Sequence, residues 1–138
     1  MALLHSKNII HRNLKPGVIY LDNDYFPKIG NLNLAIQLED LADEKNDHMI
    51  GTPLFLAPEI LNDQKYSKAS DVYAFAITVY EIVSGPFIDK VNSNMFQLYQ
   101  YIANGNRPQF DDYIPECYKN LIGRSWAQDP KDRPTFDE

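Results

Sequence analysis

The chain is poor in cysteine and tryptophan, with one of each, has no long apolar run and carries no excess of positive charge. Each lack excludes something. A single cysteine, Cys117, cannot close an intramolecular disulfide. It reads as a packed small residue, and nothing points to an oxidising compartment. The opening residues, Met1 to Lys7, hold no apolar stretch of signal-peptide length. The longest apolar run, Val72 to Val83, is too short for a bilayer and contains Glu81. The expectation is therefore a soluble, cytoplasmic protein without a membrane partner. Lysine and arginine number 13 against 19 aspartate and glutamate, a net charge of -6. Such a balance argues against a nucleic-acid partner, because neutralising phosphates takes clustered Lys and Arg.

What remains is an ordinary globular composition, 44% hydrophobic and 23% charged. The length of 138 residues suits one domain, taken as 1–138, able to bury a true core. Glycine and proline divide it. Pro16-Gly17 precedes Val18-Ile19-Tyr20-Leu21, Asn23-Asp24 marks a turn, and Phe26-Pro27-Lys28-Ile29 follows, which predicts a two-stranded ribbon. Residues Gln37 to His48 are polar and mostly acidic and read as a solvated loop or short surface helix.

From Lys68 to Ser84, with Ser67 or Ser70 as cap, apolar residues cover every side, which predicts a buried central helix stopped by Gly85-Pro86. A further helix is expected to start within Asn92-Ser93-Asn94, with Phe96, Leu98, Tyr99 and Ile102 apolar and Gly105 at its end. Another from about Pro115 carries Tyr118, Leu121, Ile122 and Trp126. The fold class is thus mainly α, an α+β arrangement with one small ribbon.

Four motifs occur in order: His11-Arg12-Asn13-Leu14-Lys15-Pro16; Gly51-Thr52-Pro53-Leu54-Phe55-Leu56-Ala57-Pro58-Glu59; Ser70-Asp71-Val72-Tyr73-Ala74-Phe75; and Trp126-Ala127-Gln128-Asp129-Pro130 leading to Arg133-Pro134-Thr135-Phe136. Together they resemble the protein-kinase family from about His5 to Phe136. The Trp126–Phe136 segment looks most like the tyrosine-kinase-like branch, whereas Lys15 and Gly51-Thr52 look like Ser/Thr-type loops. The resemblance implies the C-terminal lobe of that fold. The family's Gly-rich loop, strand lysine and helix glutamate have no counterpart in the 138 residues, so the small lobe is expected to be absent.

The resemblance also implies which residues should carry chemistry, and those are altered. Family members transfer phosphate by positioning and charge neutralisation through Mg²⁺, held by the D-F-G aspartate and the catalytic-loop asparagine, with the H-R-D aspartate as base. Here the base position holds Asn13, the catalytic-loop asparagine position holds Val18, and D-F-G reads Asn31-Leu32-Asn33. An amide has no basic site near neutral pH, and a lost general base costs roughly 10²–10⁴ in rate. Val18 offers no oxygen to a hard cation. Leu32 could fill the phenylalanine slot, and Asn33 replaces a glycine whose backbone freedom matters, a mild change because asparagine tolerates positive φ better than most residues. Lys15, which in active members neutralises the transferred phosphate, and Thr52, which holds the loop near substrate, read as structural relics. No ATP or magnesium is therefore expected, although both belong to the family.

Other matched positions imply a structural role. Glu59 and Arg133 match a buried ion pair, Asp71 matches an acceptor for catalytic-loop N–H groups, and Trp126 is expected to pack under the helical core. Arg12 matches the residue that would pair with a loop phosphate. Thr52 is the only hydroxyl residue between Asn31 and Glu59, so Glu44 or Asp47 could supply that charge, or Arg12 could bond backbone carbonyls. The function implied is a catalytically inactive pseudokinase module with a protein partner. Two alternatives stand beside it: part of an active kinase whose small lobe lies elsewhere, and a gene remnant whose central helix lacks its usual neighbour.

Overall fold

A computed structural model describes residues 1–42, 49–91 and 94–138. The chain order is α1 (Ala2–Ser6), β1 (Ile9–Ile10), β2 (Ile19–Leu21), β3 (Pro27–Ile29), β4 (Ile36–Gln37), α2 (Pro58–Asp63), α3 (Lys68–Ser84), α4 (Phe87–Val91), α5 (Met95–Ala103) and α6 (Glu116–Ser125), with short 3₁₀ turns between. This is the mainly α architecture expected for a kinase-like C-terminal lobe. No helix of the described residues is long and apolar enough to cross a membrane.

The predicted ribbon is present: β2 and β3 are antiparallel, pairing Ile19 with Ile29, Tyr20 with Lys28 and Leu21 with Pro27. A second antiparallel pair, β1 with β4, went unpredicted because each strand is two residues long. It ties the chain just before His11 to the chain just after Leu34, so the two motif segments at those ends start from one anchored place.

The central helix α3 starts where predicted. The Ser70 hydroxyl accepts from the Ser67 N–H at 3.0 Å and donates to the Ser67 carbonyl at 2.7 Å, closing the first turn. Gly85, at φ 82°, ends it in a backbone region that glycine adopts freely. Val72, Tyr73, Ala74, Ala76, Ile77 and Tyr80 are buried, but Ile82 is 66% exposed and Phe75, Val79 and Val83 are only half-covered. The helix is therefore buried on most of its circumference and not on all of it.

Burial also corrects the neighbouring helices. Asn94 caps α5 through a reciprocal pair with Gln97. Leu98 and Ile102 face the core, while Phe96 points outward. On α6, Ile122 is buried but Tyr118 and Leu121 are exposed. Cys117, expected to be packed, is exposed on the same helix. The core gathers Leu14, Val18, Tyr73, Ile77, Tyr80, Phe87, Leu98, Ile102, Ile122 and Trp126. As expected, Trp126 lies in that core. Its ring stacks on Phe110 at 5.2 Å and tilts against Tyr80 at 5.4 Å.

Candidate active site and its frame

The site is assembled by one carboxylate. Asp71, in the first turn of α3 and 2% exposed, accepts the backbone N–H of His11 at 2.8 Å and of Arg12 at 2.9 Å. The imidazole Nε2 of His5, from α1, approaches the same carboxylate at 2.9 Å. A buried carboxylate at a helix N-terminus is stabilised by the helix dipole and by each such donor. Through Asp71 the long core helix fixes the backbone that carries Asn13 and Lys15.

His11 continues the frame. It is fully buried; its Nδ1 lies 3.2 Å from the Asn13 N–H and its Nε2 lies 3.1 Å from the Gly30 carbonyl. Nδ1 must accept from the N–H, so Nε2 carries the hydrogen and donates to Gly30, and the ring is the neutral Nε2–H tautomer. This bond joins the Asn13 segment to the residue just before Asn31. Arg12 sits at φ 62° and donates from Nε to the Leu34 carbonyl, with its guanidinium 5.7 Å from the Tyr66 ring centroid. Arg12 thus bonds a backbone carbonyl, one of the two roles considered for it. Glu44 and Asp47 lie outside the described residues.

Gly51 brings the third segment in. At φ 121°, its Cα faces Arg12 so closely that a Cβ there would stand 2.6 Å from the Arg12 carbonyl oxygen. Only glycine fits, and the close approach delivers Thr52 beside Asn13 and Lys15. Lys15 Nζ donates to Thr52 Oγ1 at 2.8 Å, and that hydroxyl donates to Asn13 Oδ1 at 2.7 Å. All three side chains are half-buried. Sequence reasoning named the three residues but not the chain of bonds joining them, which depends on the Gly51 approach across nearly forty residues.

The remaining predicted positions diverge. Val18 is 1% exposed and packed in the core with Leu14, so its side chain contributes no polar atom to the site. Asn31 occupies the left-handed region at φ 56° and ψ 61° and is exposed. Asparagine adopts that region more readily than most residues. The positive φ falls on Asn31 and not on Asn33, which lies in the 3₁₀ turn Leu32–Leu34. Leu32 is 48% exposed, not packed as an apolar plug.

Away from these residues, the frame is locked by Arg133. Its guanidinium meets Glu59 at both ends, 2.7 Å to Oε1 and 2.8 Å to Oε2, and also donates to the carbonyls of Ala69 and Ala127 at 3.0 and 2.9 Å. The Arg133 side chain is fully buried and that of Glu59 nearly so. This ties α2 to the start of α3 and to the segment after α6. Beside it, the guanidinium carbons of Arg107 and Arg133 stand 5.1 Å and 5.2 Å from the Tyr73 ring centroid. Burial pushes the Tyr73 phenol up to about 12, with the two arginines opposing the rise. Burial likewise lowers Arg107.

This arrangement is that of the large lobe of a protein kinase, and the chain belongs to the protein kinase family. The family described as protein tyrosine and serine/threonine kinase matches residues 1–138. Among curated relatives, the chain is 34% identical to the dual specificity protein kinase shkB of Dictyostelium discoideum, over all of this chain and 21% of that protein. It is 35% identical to the human receptor-interacting serine/threonine-protein kinase 1, over 99% of this chain and 23% of that protein. The chain thus spans about a fifth of the length of these relatives.

The family works with ATP and magnesium. The donor set here does not fit a magnesium ion. Such ions are held through one or two carboxylates, with an amide oxygen beside them in this family, whereas positions 13 and 31 carry no carboxylate and position 18 is a buried valine.

Proposed function

We propose that this chain is a pseudokinase module, one that keeps the kinase large-lobe frame and binds a protein partner without transferring phosphate. The observation that carries this reading is the state of Asn13. In place of a carboxylate able to take a proton from a hydroxyl nucleophile, position 13 has an amide, which has no basic site near neutral pH and whose oxygen accepts the Thr52 hydroxyl. The loss of anionic oxygens at position 31 and of any polar atom at position 18 supports it, because phosphoryl transfer in this family depends on metal-borne charge neutralisation. The retained Asp71, Glu59 and Arg133 contacts support a folded binding role. We assign it to the tyrosine-kinase-like branch on the Trp126–Phe136 segment and, on its acidic globular composition, to the cytoplasm.

The test is a nucleotide assay on the purified chain. Melting temperature should be the same with and without Mg²⁺-ATP, since a ligand of the native state must raise it. Radiolabel from the ATP γ-phosphate should not appear on a generic acceptor protein. Metal-dependent labelling abolished by Lys15→Gln would sink the proposal.

A further inference from the structure

We propose that Tyr25 and Tyr113 are paired phosphate-acceptor sites, modified by a separate tyrosine kinase with ATP as donor. The phenol oxygen attacks the γ-phosphorus and a new P–O bond forms. The bond from that phosphorus to the β,γ-bridging oxygen breaks, ADP leaves, and the phenol proton passes to a base of the modifying enzyme. The chain is then a substrate of another kinase, a role outside the non-catalytic reading above.

A short repeated pattern carries the inference. Asp24-Tyr25-Phe26-Pro27 and Asp112-Tyr113-Ile114-Pro115 both read aspartate, tyrosine, apolar residue, proline. Of the nine tyrosines, these two are the most exposed, at 81% and 72%. The fold also places them alike. Tyr25 lies on the connection from β2 to β3, and Tyr113 on that from α5 to α6. Each proline opens the next element: Pro27 is the first residue of β3, and Pro115 caps α6. The residue before a proline is pushed towards extended backbone, so each tyrosine is followed by a residue held away from helix. Extended segments are what strand-adding recognition takes up. The aspartate before each tyrosine is complementary in charge to a transfer site lined with cations.

The two hydroxyls differ in what holds them. That of Tyr25 has no hydrogen-bond partner among the described residues and stands ready for transfer. That of Tyr113 has one hydrogen and two acceptors in reach, the Val83 carbonyl at 3.3 Å and Asp111 Oδ2 at 3.2 Å. Val83 lies in the last turn of α3, where carbonyls lack helical partners and the helix dipole is negative. A phosphate on Tyr113 removes the donated hydrogen and sets about two negative charges against Asp111 and that helix end. The ring has to swing out. With it loosens the turn in which the Ile114 N–H donates to the Asp111 carbonyl at 3.2 Å. Ile114 is 3% exposed, so modification uncovers an apolar side chain beside the new charge. Tyr25 displays a phosphate; Tyr113 also releases the α5–α6 connection from α3.

The test is incubation of the full chain with a purified tyrosine kinase domain of broad specificity and Mg²⁺-ATP, with phosphates located by mass spectrometry. Both Tyr25 and Tyr113 should gain one. Tyr20 and Tyr118 are also exposed, at 56% and 43%, but they sit within β2 and α6 and lack the repeated pattern, so they should stay unmodified. Tyr113 should react about 5-fold more slowly than Tyr25, the worth of one hydrogen bond. With Tyr25→Phe confining phosphate to Tyr113, hydrogen exchange at the Ile114 amide should quicken by about 5-fold or more as the same tether is lost. Phosphate on Tyr20 or Tyr118 as fast as on the two predicted sites, or on neither predicted site, would overturn the inference. Unchanged Ile114 exchange in chain carrying phosphate on Tyr113 would overturn the release. Phosphate on these tyrosines with the added kinase left out would overturn the assignment to a separate enzyme, and the non-catalytic reading with it. Site location is read on the unsubstituted chain, so it does not depend on any variant folding.

Discussion

Removing Arg133 is the most severe single perturbation the frame offers, and its size can be worked out. The guanidinium satisfies both Glu59 oxygens and the carbonyls of Ala69 and Ala127, with its side chain wholly out of solvent. Arg133→Met keeps the length and apolar stem but leaves Glu59 as a nearly buried, unpaired carboxylate. Breaking such a pair costs about 3–5 kcal/mol. For 138 residues the unfolding entropy is about 0.3 kcal/mol/K, so the melting temperature should fall by about 10–17 °C. That is a large part of the roughly 5–15 kcal/mol by which a domain is stable. The assay is thermal unfolding by circular dichroism, with Glu59→Met and the double variant alongside. If the cost comes from the orphaned charge, Glu59→Met added to Arg133→Met should return part of the loss, because no buried charge remains. The Ala69 carbonyl keeps its place in the α3 ladder, but the Ala127 carbonyl loses its guanidinium donor, so recovery should be incomplete. A fall under about 3 °C for Arg133→Met, or a double variant as unstable as the two single losses combined, would refute this reasoning.

Three other outcomes follow from the same contacts. The Tyr73 phenol is raised from 10 to about 12 in the fold, so its stabilising contribution is complete below pH 10 and is lost as pH climbs to 12. That is about 3 kcal/mol over the interval, and Tyr73→Phe should flatten this part of a urea-melt pH series. Tyr73→Phe should also be harmless near neutrality, because the buried hydroxyl has no hydrogen-bond partner among the described residues. Asp71→Ala should remove hydrogen-exchange protection from the His11 and Arg12 amides, which it holds at 2.8 and 2.9 Å. Retained protection would place the ordering of that loop elsewhere. Gly51→Ala should destabilise by at least ~2 kcal/mol, since its φ of 121° and the 2.6 Å approach to Arg12 leave no room for a methyl group.

How much of this was legible in the sequence depended on range. The β2–β3 ribbon, the start and end of α3, and the cap of α5 were readable because turn residues, Ser70, Gly85 and Asn94 act within a few residues of themselves. Asp71, Glu59, Arg133 and Trp126 were assigned their roles through the kinase resemblance, and their contacts agree with it. What escaped was set by tertiary placement. The exposure of Ile82, Tyr118, Leu121 and Cys117 depends on which helix faces find neighbours, which periodicity does not state. The β1–β4 pair is too short to carry a pattern. The positive φ falls on Asn31 because Asn33 is taken up in the 3₁₀ turn that follows it. The direction of the Lys15–Thr52–Asn13 bonds needed the Gly51 approach, a contact between distant segments.

The three altered chemical positions are not equally reversible, and this separates a tuned site from a merely decayed one. Asn31 is exposed and Asn13 is half-buried at the rim of its cluster, so aspartate at either adds a charge that water can partly solvate. Val18 is different. It is 1% exposed and packed among Leu14 and the rest of the core, while its carbonyl accepts the Gly30 N–H at 2.9 Å. Val18→Asn would bury a carboxamide in an apolar core cluster, at about 2–4 kcal/mol including lost packing. Asn13→Asp and Asn31→Asp should each stay within about 1 kcal/mol of wild type, as half-buried or exposed substitutions do. Chemical denaturation of the three single variants should therefore rank Val18→Asn far below the other two. A Val18→Asn variant as stable as wild type would mean that the core has room for a polar ligand at that position. The loss of metal-binding character would then be a matter of side-chain identity alone, with packing no obstacle to its return.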